Sequence, residues 1–489
     1  MYAPTAFELP NELWTEVLAD LPRSSLIHVR MVSRHFYALA HPVFFRSLIL
    51  DPDHHASRGN RDFLGMLQLY TGPHIRKHVR DLSVSFRFAR CTRSQRCSGK
   101  VMPLSGPMLA AIPTFSSLRT LECAFRPTET VDLSALGFHT LPMLDKLTIT
   151  GGSIACPLQS DPASRLRVAH FAYTDIPGME HVLQAQLAHH DGAGFRSFLS
   201  ALDPAYLTAL TLRPSYDVSP GAWLSLDAGV HPSFTRLATV DISVDGPFLG
   251  PVRSFLAALP ALANVVLSGA FRSACDLSLD TPAWPQTPAP VAMTRVRRYT
   301  GPAEYLARLR LPNLTSITLT SAGCRCAIRG LFKRLDTTQV EELALMLPLG
   351  YIHEWVDLSF YEDEEESICW RNREETDGVF GLFPRLRSLR LRVTDNAEDD
   401  KDVLDAFDVL IDEIGADVPN ALVSILREAD TVKIPLDHVV VEWDVAGATV
   451  AALPEMEGLF DVLQGVSERM REIEFKGGVR DEDAYVAPA

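Results

Sequence analysis

Nine short stretches of this chain repeat one apolar template, [L/F]-x-x-L-x-x-L-x-L, in full or in part. It is complete in LPMLDKLTI from Leu141, FTRLATVDI from Phe234, LPALANVVL from Leu259, LPNLTSITL from Leu311 and FPRLRSLRL from Phe383. Partial copies are FSSLRTLEC from Phe115, YLTALTL from Tyr206, VEELAL from Val340 and MREIEF from Met470. Counted at the third apolar position, the copies fall at 121, 147, 210, 240, 265, 317, 343, 389 and 473, and several steps are one or two units of about 26 residues. Each L-x-L end reads as a short strand whose alternate residues point into a shared core. Between strands, GFRSFLSAL from Gly194 and VRSFLAAL from Val252 read as short helices on the outer side. No single unit can hide its own apolar face, so the units must stack. The expected fold class is α/β: a curved array of short parallel strands with outer helices. The same Leu-rich strands also fit a non-repeating α/β domain.

At 489 residues the chain is too long for one ordinary core, and 47% hydrophobic with 22% charged residues is the composition of a folded soluble protein. Eight cysteines without regular spacing do not make a disulfide framework. Cys91 and Cys97 are separated by five residues and Cys324 and Cys326 flank Arg325, but neither pair has a second CxxC or a histidine pair at zinc-ligand spacing. These thiols read as reduced, inside the cell. The first residues, MYAPTAFELP, lack the basic and apolar regions of a signal peptide. The longest apolar candidate, Phe255 to Phe271, is broken by Pro260 and Asn264 and does not read as a membrane span. The sequon Asn313-Leu314-Thr315 therefore carries no weight, and the expected location is cytoplasmic, nuclear or both. Charge is uneven. From Tyr351 onward 13 Lys/Arg stand against 34 Asp/Glu, whereas the preceding 350 residues hold 33 against 27. A mildly basic part and a strongly acidic part suggest surfaces with different partners.

The N-terminal residues follow a different pattern. LPNELWTEVLADLP, Leu9 to Pro22, reads as an amphipathic helix with Pro10 at its first position and Leu13, Val17 and Leu21 at four-residue spacing, widened by Trp14 and Leu18. Pro22 ends it. Ser24 is the expected cap of a second helix carrying Leu26 and Val29. A third, around VSRHFYALA, sets Val32, Phe36 and Leu39 on one face and is expected to end at His41-Pro42. Three helices in about 35 residues bury little and are marginal alone. Their apolar residues exceed what so small a core can hide, which points to a protein–protein interface.

The run LPNELWTEVLADLPRSSLIHVRMVSRHFYALA resembles an F-box: an opening Leu-Pro, a Glu-aliphatic step, a second Leu-Pro and a V-S-R-x-F segment. The resemblance implies docking on the Skp-type adaptor of a cullin-based (SCF) ubiquitin ligase, with Leu9, Pro10, Leu13, Val17, Leu18, Leu21, Pro22, Leu26, Val32, Arg34 and Phe36 at the matching positions. The sequence departs from the family at Ser25, where an acidic residue is usual, and at Phe36, where many members carry Trp. A second reading of the same helices is a cap over the open end of the array. The remainder resembles irregular leucine-rich repeats, although Gly152, Ala270, Ala322 and Thr394 stand where that family carries Asn. A leucine-rich-repeat tail behind an F-box implies a receptor whose solenoid holds a protein substrate.

The expected organisation is an F-box over 5–46, a linker or helix over 47–74, a solenoid over 75–478 and a disordered tail over 479–489. Insertions are expected at 281–294 (Pro-rich), 351–382 (with the acidic run Glu362 to Glu366) and 395–402 (also acidic). These acidic stretches read as solvated loops or as a rim for a basic substrate.

No catalytic motif appears. There is no GxSxG elbow or Walker loop, His353-Glu354 lacks a second histidine four residues on, and His189-His190-Asp191 has no further ligand at readable spacing. Between Arg76 and Lys100 eight Lys/Arg stand against Asp81 alone, with Phe86 and Phe88 interleaved. Phe86 and Phe88 share strand parity with Leu82 and Val84 and so read as a continued buried face rather than a nucleic-acid strip. The expectation is a non-enzymatic receptor without cofactor or metal. Its partners are a Skp-type adaptor, through it a cullin, and a protein substrate, with neither nucleic acid nor membrane among them.

Overall fold

A computed structural model describes residues 9–52, 63–85, 105–125, 130–132, 141–151, 153–155, 165–174, 199, 202–213, 234–244, 249–269, 292–320, 325–348, 379–394, 422, 424–425, 428–429, 432–444, 472–477 and 485–486. The chain divides into two compact units, Met1–Leu237 and Ala238–Ala489. Both are α/β and both are built on parallel strands.

Unit 1 opens with three helices: α1 (Asn11–Ala19), α2 (Arg23–Val32) and α3 (Arg34–Phe44). Their bounds differ slightly from the sequence expectation. Pro10 precedes α1 as its extended N-cap, and Pro22 rather than Ser24 caps α2. Pro42 sits inside α3, which runs two residues beyond it. The stretch 47–74, expected as a linker or helix, begins with strand β1 (Ser47–Leu50) and contains helix α4 (Phe63–Thr71). A short turn of helix, α5 (Pro73–Arg76), leads to β2 (Asp81–Ser85). Helix α6 (Ser105–Ala111) precedes β3 (Thr120–Ala124). Two three-residue strands, β4 (Thr130–Asp132) and β6 (Ser153–Ala155), pair with each other. The main ladder continues through β5 (Lys146–Thr150), β7 (His170–Thr174) and β8 (Ala209–Arg213). Every pairing in this ladder is parallel.

Unit 2 begins at β9 (Thr239–Ser243), followed by α7 (Leu249–Ala257), β10 (Asn264–Ser268), β11 (Arg298–Gly301), α8 (Ala303–Leu306) and β12 (Ser316–Leu319). Helix α9 (Arg325–Lys333), β13 (Glu342–Pro348), β14 (Ser388–Thr394), β15 (His438–Asp444) and β16 (Glu472–Gly477) follow. These strands also pair in parallel, one after the next. In the tail expected to be disordered, Tyr485–Val486 forms a two-residue strand, β17, antiparallel to β16.

The third apolar position of all nine template copies is the second residue of a strand. In unit 1 the register aligns Leu48, Leu82, Leu121, Leu147, Phe171 and Leu210 in one column. In unit 2 it aligns Val240, Val265, Tyr299, Ile317, Leu343, Leu389, Val439 and Ile473. In the five complete copies all four apolar positions are buried, for example Phe383, Leu386, Leu389 and Leu391. Between columns one backbone contact recurs. Two consecutive N–H groups at a strand's start donate to a single carbonyl of the preceding strand's start. Asp145 and Lys146 thus donate to Arg119 O, and Arg387 and Ser388 to Glu341 O.

Five column residues, Leu48, Leu82, Phe171, Tyr299 and Val439, fall outside the nine copies. The steps of 63, 52 and 84 residues each contain one such strand. The spacing along the ladder is therefore uneven, from 18 residues (299 to 317) to 50 (389 to 439). Two expected insertions also end inside packed structure. Met293 is buried with its N–H donating to Arg310 O at 3.0 Å, and Val379 and Phe380 are buried. The remainder of 281–294 and 351–382 and all of 395–402 lie outside the described residues. So do Phe86, Phe88, the arginines from Arg87 to Arg96, Lys100, His353 and residues 189–191.

At β11 the L-x-L pair is replaced by Tyr299-Thr300-Gly301. The Tyr299 hydroxyl donates to Pro302 O at 2.7 Å, and a Cβ on Gly301 would lie 2.8 Å from that hydroxyl and 2.7 Å from Leu267 O. One large ring thus fills the space of two side chains, and glycine is required beside it. Gly301→Ala is expected to cost about 1–3 kcal/mol through overpacking. Gly250→Ala, in α7 with nothing within 4 Å of the added methyl, is expected to stabilise by about 0.4–1 kcal/mol. The midpoint of urea unfolding checks both.

Candidate functional site

The three N-terminal helices divide their apolar residues sharply. Leu18 (2% exposed), Leu26 (4%) and Ala40 form the module's core, with Leu21, Val29, Leu39, Val43 and Phe44 packed around it. Leu13 and Val17 lie one turn apart on α1, Leu9 stands just before its N-cap, and all three are exposed. On α2, Ile27, Met31 (80% exposed) and Val32 (70%) are exposed, and on α3 Tyr37 is as well. A domain this small cannot turn all its apolar side chains inward, but seven large ones outward on three short helices exceeds the scattered exposure of an ordinary surface.

The eleven residues singled out from sequence are accordingly split. Leu9, Pro10, Leu13, Val17, Pro22, Val32 and Arg34 face solvent, and Leu18 and Leu26 are core. Leu21 is half-buried against that core. Phe36 is half-buried, and its ring meets Trp14 edge-to-face at 5.0 Å, joining α3 to α1. The Phe36 N–H also donates to Ser33 Oγ at 3.1 Å, which caps α3. The sequence reading missed Ile27, Met31 and Tyr37. The four-residue spacing of Ile27 and Met31 was visible beside the Leu26–Val29 stripe, one residue out of phase with it.

Behind this surface the helices meet β1 without a spacer, since only Phe45 and Arg46 separate α3 from it. Arg30 lies over the rings of Tyr37, Phe44 and Phe45 at 5.0, 4.6 and 5.2 Å. Its Nη2 is 3.4 Å from His41 Nδ1. Arg23 stacks on Phe44 at 4.7 Å and donates to Ser47 O at 3.3 Å. His41 in turn meets Phe45 at 4.8 Å and His78 at 5.8 Å. Burial, then the Arg30 and His78 charges, hold His41 below the ordinary imidazole range, while a hydrogen bond with the His74 backbone opposes them. Burial and neighbouring Lys77 lower His78 in the same direction.

Among the described residues no group of three or more His, Cys, Asp or Glu could hold a metal ion, and no helix is long and apolar enough to cross a membrane. Cys123, on β3, is fully buried and its thiol is pushed well above the usual range by burial and by Glu122, so it is held as an unreactive thiol. What the module offers is apolar surface. Covering a large aliphatic side chain contributes about 1.5–3 kcal/mol, and several are exposed together on short helices.

The F-box domain family matches residues 7–48, the span of the three helices and the start of β1. These residues form an F-box domain. No curated protein matches the chain. Among solved structures, the crystal structure of a Rad7 and Elc1 complex in yeast is similar at 13% identity and a TM-score of 0.30, covering 91% of this chain and 90% of that one.

Phe36→Ala removes the ring that holds Trp14. It is expected to lower the module's stability by about 1–3 kcal/mol, whereas Arg34→Ala, at an exposed position, stays within about 0.5 kcal/mol. Hydrogen exchange of the α1 amides reads both.

Proposed function

We propose that the chain is the substrate-receptor subunit of an SCF-type ubiquitin ligase. The F-box helices dock on a Skp-type adaptor, and through it on a cullin. The strand arrays act as irregular leucine-rich repeats that hold a protein substrate. The observation that carries this reading is the outward apolar set on the F-box domain: Leu9, Leu13 and Val17 on the α1 side, Ile27, Met31 and Val32 on α2, and Tyr37 on α3. These side chains gain by being covered and have no partner within the module's own core. The residues that sequence placed at the family's matching positions but that lie in the core, Leu18 and Leu26, support the surface rather than touch the adaptor.

In this role the chain carries out no chemistry and needs no cofactor. It raises the effective concentration of the substrate near catalytic groups that other subunits supply. It would work inside the cell, in the cytoplasm, the nucleus or both. The leucine-rich-repeat reading of the arrays is supported by the aligned apolar columns and the recurring two-to-one backbone contact at strand starts. Substrate contacts would fall on strand residues that alternate with the buried columns, such as Thr148, Thr211 and Arg390, which are not buried.

The test is co-purification and titration with a purified Skp-type adaptor. The intact chain is expected to bind, and a Leu13→Asp, Met31→Asp variant is expected to lose at least tenfold in affinity with an unchanged circular dichroism spectrum, since both positions are exposed and the charges would be desolvated on docking. A folded intact chain that does not bind would sink the receptor reading and leave a repeat scaffold with a helical cap.

A further inference from the structure

The contact between the F-box helices and the first two strands of unit 1 gathers Arg23, Arg30, His41 and His78, groups that gain or already carry positive charge, beside one exposed ion pair, Arg46 with Asp81 at 3.7 Å. Arg30 from α2 faces His41 on α3, with Nη2 3.4 Å from Nδ1. Guanidinium nitrogens only donate, so Nδ1 must be the acceptor and the ring's single hydrogen sits on Nε2. The other titratable groups acting on the His41 ring are His78, in the turn before β2, and His74 on α5, while Lys77 acts on His78. None of these is a carboxylate. The cluster also includes the Tyr37, Phe44 and Phe45 rings under Arg30, which exclude water from one side of the guanidinium.

We propose that this joint is an acid-sensitive coupling: with His41 and His78 neutral it fastens α2 and α3 to β1 and β2, and protonation releases them. Two effects act together. A proton on Nδ1 removes the lone pair that accepts from Arg30, and the new charge then faces a guanidinium and a second imidazole across a half-buried contact. Both histidines lie below the ordinary imidazole value of 6.5 in the folded chain. The joint's contribution is therefore complete above that value and is lost as pH falls through it toward the folded values. Released helices do not survive long as an independent unit, because a core of Leu18, Leu26 and Ala40 is too small to hold them. The response belongs to the joint and does not depend on what the exposed helices bind.

Hydrogen exchange of the full chain at pH 7.5 and 5.5, each amide referred to its intrinsic rate at that pH, tests the coupling. Protection across Arg23–Phe44 is expected to fall severalfold at pH 5.5 while that of Lys146–Thr150 stays constant. His41→Gln keeps an acceptor and a donor without titrating, leaves only His78 to respond, and is expected to lose clearly less protection at pH 5.5 than the unaltered chain. No selective loss in the unaltered chain, or an undiminished loss in His41→Gln, overturns the proposal. Should His41→Gln loosen the helices already at pH 7.5, the unaltered chain decides. The midpoint of its loss must coincide with His41 or His78 ring titration followed by NMR on labelled histidine, and a midpoint coinciding with neither overturns the coupling.

Discussion

Register between parallel strands is the constraint on which the rest of both units depends. A strand of four to seven residues presents two to four side chains to the core, and fixing each residue costs about 1–2 kcal/mol of backbone entropy. Burying one Leu or Phe returns about 1.5–3 kcal/mol. A single strand and its lead-in turn therefore come close to balance, and only when Leu147 lies against Leu121 on one side and Phe171 on the other does the column close. The two-to-one contact at the strand starts fixes that alignment through the backbone, independently of which side chain occupies the column. It also explains how Leu, Ile, Val, Phe and Tyr can all serve at one position.

The F-box domain meets the opposite problem. Its three helices have too little interior for their apolar residues, so they divide them between a minimal core and an exposed set, and they lean on the array through Arg23, Arg30 and His41. The aromatic and guanidinium contacts at the joint do for the module what a larger core would do for a longer one. Because α3 runs almost directly into β1, the F-box helices and the first strands of unit 1 are held in one arrangement rather than joined by a long connection.

Much of this was legible in the sequence, for identifiable reasons. All nine template copies became strands at the expected residue, because each keeps the alternating apolar pair of a half-buried strand, and the five complete copies add the two apolar positions of the lead-in. The strands at Phe171 and Tyr299 were missed because their columns are filled by a ring rather than by L-x-L, with Gly301 making room for Tyr299. The strand at Val439 was missed because HVVVEWD has no leucine. Strand β1 falls in the stretch 47–74 that reads as a linker or helix, because its four residues, SLIL, follow a helix almost directly. On the F-box the sequence identified the amphipathic helices but could not separate inward from outward leucines, since Leu13, Leu18 and Leu21 lie close in spacing and only the crossing of α1 with α3 decides which is covered. The joint was invisible, because Arg30, His41 and His78 are brought together by tertiary packing.

Uneven spacing and uneven charge are two faces of the same property. Closing a longer loop costs only about 0.6 kcal/mol for each doubling of its length, so a ladder fixed at strand starts tolerates steps from 18 to 50 residues without losing register. The acidic residues sit largely in the long steps. Residues 349–378 and 395–421 hold 20 of the 34 Asp/Glu after Tyr351 but only 3 of the 13 Lys/Arg. The strands themselves carry a mixed set, with Arg390 paired to Glu442 at 3.6 Å. The asymmetry that first suggested two differently charged surfaces is thus a property of the segments between strands, and such segments can change in length and charge while the columns stay fixed.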